Sequence, residues 1–402
     1  MERKNALAAV VIMAMLFGGF GLLATSAIGR DGRFESLARQ FAGDKDFPAF
    51  AATAESAVNE DLDRDHWFIQ LFGGVERLMG RRVISDAVED NTVVKLSTGA
   101  LNFVNPGSTS EPAACAESNA DAMSWLSARL EEDGIPSMFV VAPQKIQEGM
   151  DLLPTGVEES GNETADVVLG ALQDDGVHCL DLRPLFASEG EWSDWFFTTD
   201  HHWKPEAAFA AWQWLASEME TRYGFSTDDS LTDPANWSVE TLEDEFLGSQ
   251  GKRVGSLYAG VDDFSVYRPL FDTDFTYASE FGGFVREGSF NESLCFPERL
   301  GADWFEGNPY TYYSGGDYSI ATMTDHSNPD GPKVVLVRES FSNALAPFLA
   351  ISCSELTTID LRYFEGNLAQ EIEGIDPDLV LVLYSSSSTG NETLFRFGQD
   401  ES

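Results

Sequence analysis

Between residues 333 and 384 the chain alternates three short runs of apolar, mostly branched residues with two helix-length stretches. Val334-Val335-Leu336-Val337 is followed by a helix-compatible segment over 341–350, a second run over 356–361 by one over 367–374, and a third run over 379–384 closes the series. Strands buried on both faces read as continuous apolar runs, and parallel neighbours need a crossover of a dozen or more residues between them. The pattern therefore predicts a parallel sheet with helices on both faces. The same rhythm occurs earlier: a helix over 119–133, a strand over 137–141, a helix over about 163–174 and a strand over 177–182. A further helix opens at Pro205 and carries Phe209, Trp212 and Leu215. The expected fold is an α/β three-layer sandwich with a mostly parallel sheet. In such sheets a ligand sits beyond the carboxyl ends of the strands, and Ser340 falls at such an edge.

The regions around this core read differently. Residues 1–30 have the layout of an export segment: Arg3 and Lys4 precede an uncharged apolar run from Ala6 to Ile28, and Arg30 and Asp31 follow. A bilayer core takes about 20 apolar residues in helix, whereas the apolar part of a cleaved signal has about 7–15. We read a retained membrane helix, with Thr25-Ser26-Ala27 as the cleavage alternative that would leave a secreted protein. The basic flank then keeps the N-terminus in the cytoplasm and places everything after residue 30 outside the cell membrane. Residues 31–92 read as a helical stalk or lead-in. Residues 93–402 read as the main domain, with an insertion of short strands at about 226–318.

Charge narrows the function classes. The 67 acidic and 25 basic residues give a formal charge of −42, which repels nucleic acid and anionic lipid and argues against a polyanion-binding role. Cys115, Cys179, Cys295 and Cys353 show no paired spacing of a metal site. Asp61, Asp63 and Asp65 alternate like the start of a calcium loop, but His66 and Phe72 stand where that loop needs glycine and glutamate. No metal and no cofactor is expected.

Two separated stretches carry chemistry. Ser340 lies between the run ending at Val337 and the helix-like Asn343-Ala344-Leu345-Ala346. Far upstream, Asp200-His201-His202-Trp203 places a carboxylate two residues before an imidazole, and the chain has only five histidines. A serine hydroxyl becomes a good nucleophile when an imidazole takes its proton and a carboxylate fixes that imidazole's tautomer. Unpaired N–H groups at a helix start can in addition hold a developing oxyanion. From spacing alone the alternatives stay open: Ser340 or Ser342 as a helix cap, His202 as a structural loop residue, and His201 as the competing base.

These blocks resemble the bacterial DHHW family, itself similar to the alginate O-acetylation proteins with an SGNH-hydrolase-like domain. Asp200-His201-His202-Trp203 is one element of the match. The others are Val141-Ala142-Pro143-Gln144-Lys145 with Leu153-Pro154, Phe246-Leu247-Gly248-Ser249, residues 338–349, Ile359-Asp360-Leu361-Arg362-Tyr363-Phe364 and residues 378–384. The resemblance implies Ser340 as nucleophile, His202 as base and Asp200 as its orienter, in the permuted order Asp, His, Ser. For the oxyanion it implies the backbone around Ser340 and Phe341, then Gly248, Asn343 or Arg362. One departure stands out, because the relatives carry aspartate before the serine and this chain has Glu339. The implied activity is extracytoplasmic, serine-dependent O-acetyl transfer to a cell-surface or exported polysaccharide through an acyl-serine intermediate. Outside the membrane there is no acetyl-CoA, so a membrane-bound O-acyltransferase partner is implied as well. The alternatives are a carbohydrate acetylesterase and a catalytically silent glycan-binding or assembly subunit.

Overall fold

Every apolar run of the expected core is a strand of one eight-stranded sheet. The computed structural model describes residues 66–85, 92–105 and 108–398. The expected membrane helix and most of the expected lead-in lie outside the described residues, among which no helix is long and apolar enough to cross a membrane.

The described chain opens with helix α1 (Trp67–Met79) and the antiparallel strands β1 (Val83–Ser85), β2 (Thr92–Lys95) and β3 (Leu101–Val104). Alternation follows: α2 (Ala116–Glu132), β4 (Ser137–Ala142), α3 (Gly161–Asp174), β5 (Cys179–Asp181), α4 (Arg183–Glu189) and α5 (Pro205–Tyr223). The middle of the chain supplies β6 (Trp237–Phe246), α6 (Ser249–Val254), β7 (Asp262–Pro269), β8 (Phe275–Ser279) and β9 (Phe284–Gly288). The last part supplies β10 (Ile320–Asp325), β11 (Lys333–Arg338), α7 (Ser342–Ala350), β12 (Glu355–Asp360), α8 (Leu368–Ile375) and β13 (Leu379–Ser385).

The main sheet has the order β5-β4-β13-β11-β12-β10-β8-β9. Its first five strands are parallel, as the apolar runs predict. The last three are antiparallel, so the sheet is mixed where a mostly parallel one was expected. The reason is connection length. The link between β10 and β11, residues 326–332, is too short for a parallel crossover, and the four residues between β8 and β9 suit a hairpin. The expected insertion at about 226–318 is thus divided. Strands β6 and β7 form their own ribbon, while β8 and β9 extend the main sheet. In the expected lead-in, Val83–Ser85 is a strand where helix was read.

Alternation along β11 divides the core between the two faces. Val334 and Leu336 pack with Phe209 and Trp212 of α5 and Leu345 and Phe348 of α7. Val335 and Val337 pack with Met123 of α2, Val168 of α3 and Ile372 of α8. Each fully buried side chain of this kind contributes roughly 1.5–3 kcal/mol. That double burial fixes the strand ends, and with them the loops after β4, β11, β12 and β13. All four cysteines are unpaired thiols.

Candidate active site

The serine turn is short and locally determined. Strand β11 ends at Arg338 and α7 begins at Ser342, and the Ser342 and Asn343 N–H groups donate to the Glu339 and Ser340 carbonyls at 3.1 Å each. No side chain caps α7, which removes the capping alternative for Ser340 and Ser342. The Ser340 hydroxyl instead lies 2.8 Å from His202 Nε2.

The second turn is assembled from distant segments. Asp200 Oδ1 stands 2.5 Å from His202 Nδ1 and accepts the His202 N–H at 3.1 Å, while Oδ2 accepts the Ser249 N–H at 2.6 Å. Upstream, the Thr198 and Thr199 N–H groups donate to the Asp262 carboxylate at 2.6 and 2.7 Å. Lys145 Nζ donates to the Asp200 carbonyl from inside. Burial by itself would raise the Asp200 pKa. The neighbouring imidazoles of His202 and His201, and the bonds from His202 and Ser249, hold it well below the usual carboxylate range. An ionised carboxylate only accepts, so His202 Nδ1 carries the proton and Nε2 is left to accept from Ser340. The three groups form one line, buried and facing the carboxyl ends of the parallel strands.

The aromatic frame ties the two turns together. The Trp203 indole N–H and the Tyr310 hydroxyl both donate to the Phe341 carbonyl, at 2.9 and 2.8 Å. The Tyr310 ring stacks on His202 with centroids 3.8 Å apart and planes at 13°. Tyr310 was not legible as a site residue, since it lies in the stretch read as an insertion and carries no spacing signal. His201 does not reach Ser340. Its ring lies 3.8 Å from that of His202, Nδ1 is 3.0 Å from Ser249 Oγ, and 38% of its side chain is exposed at the rim. Its ring is paired with Ser249 rather than with Ser340, so the geometry gives the place of the base to His202.

The residues expected around the oxyanion are placed otherwise. The Gly248 N–H donates to Thr199 Oγ1 at 2.9 Å, so it is not available to a substrate. Glycine is required there for space, because a Cβ would lie 2.2 Å from Asp200 Cβ. Asn343 Nδ2 donates to Asp317 at 2.8 Å and its Oδ1 accepts from Arg338 at 2.9 Å. Arg362 directs Nε and Nη2 at Asp360, at 3.0 and 2.6 Å, with Asp317 3.1 Å away. Both side chains belong to a partly buried ion network around Asp317 and Asp360. Glu339 accepts the Phe341 N–H at 3.1 Å and the Ser385 N–H at 3.1 Å, and its Oε2 lies 3.2 Å from Ser340 Oγ. The longer side chain thereby bridges the ends of β11 and β13 and occupies the Phe341 donor. Among the described residues no acceptor engages the Ser340 N–H.

Asp200, His201 and His202 also offer ligand atoms within 4.8 Å of one another. Two ligands of one ion, each about 2.0–2.2 Å from it, stand farther apart than the 2.5 Å between Asp200 Oδ1 and His202 Nδ1. The cluster fits a proton relay better than a metal centre.

Residues 103–240 match the family described as SGNH hydrolase-like domain, acetyltransferase AlgX. The chain is similar to the SGNH hydrolase-like acetyltransferases. The matched stretch contains Asp200–Trp203 and ends before Ser340. Among solved structures, Bacillus cereus PatB1 with a sulfonyl adduct superposes with a TM-score of 0.62 at 21% identity, covering 76% of this chain and 99% of that one. A DHHW family protein from Eubacterium siraeum superposes with a TM-score of 0.57 at 19% identity, covering 79% and 98%. At these identities the likeness is one of fold. No curated protein matches.

Proposed function

We propose that the protein is a serine-dependent O-acetyltransferase acting outside the cell membrane on a cell-surface or exported polysaccharide. The line from Ser340 through His202 to Asp200 carries this reading, and the acetyltransferase family match supports it. Ser340 Oγ attacks the acyl carbon as His202 Nε2 takes its proton, and Asp200 stabilises the imidazolium. The leaving group departs with that proton, which gives acetyl-Ser340. A sugar hydroxyl then repeats the sequence in reverse, with His202 as its base. The unengaged Ser340 N–H is the oxyanion donor that this geometry favours. A membrane-bound O-acyltransferase would supply the acetyl group, as the resemblance implies.

Water as the acceptor gives a carbohydrate acetylesterase. The rim exposure of His201 keeps that second reading open. The full chain incubated with an activated acetyl ester and bare glycan is expected to yield O-acetyl glycan. Acetate release with no acetylated glycan would replace transfer by hydrolysis. No acetyl-Ser340 at all would leave the silent-subunit reading.

A further inference from the structure

Lys145 is a charged side chain in a place that charges rarely occupy. It follows β4 by three residues and is only 4% exposed. A buried ammonium is costly unless its donors are satisfied. Here Nζ donates to the Leu101 and Asp200 carbonyls, to Gln250 Oε1 at 3.2 Å, and more weakly to the Thr198 carbonyl at 3.5 Å. Three other segments converge on this one nitrogen: β3, the Thr198–Asp200 turn and α6.

The convergence has a reason in the turn itself. Asp200 and His202 are two residues apart, so the backbone must fold back for the carboxylate to meet both the ring and the N–H of His202. That fold turns the Asp200 carbonyl inward, where an unpaired carbonyl costs free energy, while the Thr198 carbonyl already accepts the Leu101 N–H at 2.7 Å. Among the described residues the Lys145 ammonium is the donor that reaches the Asp200 carbonyl.

We propose that Lys145 is a positioning residue whose ammonium holds the Asp200–His202 turn in the geometry that presents His202 Nε2 to Ser340. This rests on the reading of that turn as the base of an acyl-transfer device.

The titration of Lys145 makes the proposal separable from a purely structural role. Burial pulls its pKa down to about 8, opposed by Asp200 and Asp262, and His201 also feels its charge. In the unfolded chain the ordinary value is 10.5. Between those pH values the unfolded state holds more protons, so this group favours the folded state increasingly as pH rises. The clamp weakens over the same window. Activity and the contribution of Lys145 to stability therefore move in opposite directions.

The test uses the full chain and p-nitrophenyl acetate, with kcat, KM and melting temperature followed from pH 6 to 10. Wild-type kcat is expected to fall above about pH 8 without a matching loss of melting temperature. Lys145→Met is expected to lose about 100-fold in kcat, the scale of an ångström-sized misplacement, with KM within about twofold. A folded Lys145→Met with wild-type kcat would overturn the proposal. So would a wild-type profile flat to pH 10, which decides the matter even if Lys145→Met does not fold. Absence of acetyl-Ser340 in wild type at every pH would sink the proposed function itself and this inference with it.

Discussion

The two turns that meet at the candidate site are built in opposite ways. The serine turn takes its path from its own strand and helix, and the distant Ser385, Trp203 and Tyr310 brace it through Glu339 and the Phe341 carbonyl. Strand β11 is buried on both faces, α7 starts two residues after Ser340, and Glu339 bonds to the adjoining Phe341. The Asp200–His202 turn takes its shape from elsewhere in the chain: the bonds to Lys145, Ser249, Gly248 and Asp262 span between 49 and 64 residues of sequence. A nucleophile on a sheet edge is fixed by the fold. A base two residues from its own carboxylate needs a scaffold, and most mutational vulnerability of the site is expected there.

The largest effect should come from the charge of the second turn. Asp200→Asn keeps the shape but leaves an amide that can place the wrong tautomer on His202, and the acylation rate should fall about 10⁴-fold. Stopped-flow acylation with an aryl acetate checks this, and a loss under tenfold would break the distinction between orienter and bystander. Next comes Gly248→Ala. Its Cβ would lie 2.2 Å from Asp200 Cβ and 2.6 Å from Asp200 Cα, so the turn must shift. Overpacking of this kind costs about 1–3 kcal/mol. A lower melting temperature should accompany a rate loss of about 100-fold.

These two residues show how far the sequence could be read. Strands and helices of the parallel half were legible because double burial leaves continuous apolar runs with helix-length gaps. Ser340, His202 and Asp200 could be singled out because the chemistry restricts residue types at element boundaries. Gly248 was noticed for the wrong reason: its role is steric, and a close approach between segments 48 residues apart leaves no local periodicity. The antiparallel strands β8, β9 and β10 were missed as sheet members, since their burial alternates and their partners are set by connection length. Lys145 stood in a recognisable block, yet nothing local says that its ammonium reaches the Asp200 carbonyl.

Smaller effects sharpen the contrast. Tyr310→Phe removes one of the two donors to the Phe341 carbonyl while keeping the ring on His202. About 1 kcal/mol of stability and a few-fold in rate should be lost, measured by denaturant melts and aryl acetate turnover. In the serine turn, the Ser342 hydroxyl is buried with no partner. Ser342→Ala should leave turnover unchanged and leave stability equal or slightly higher. A large loss of activity in that variant would mean that the serine turn is not locally held.

The central claim is that His202 activates Ser340, and peptide mass spectrometry after brief exposure to an activated acetyl ester tests it most directly. Wild-type protein should carry one acetyl group on the peptide containing Ser340, and His202→Ala should carry none on the same timescale while remaining folded. Equal labelling of Ser340 in the two proteins, or no labelling of Ser340 in wild type, would contradict the account.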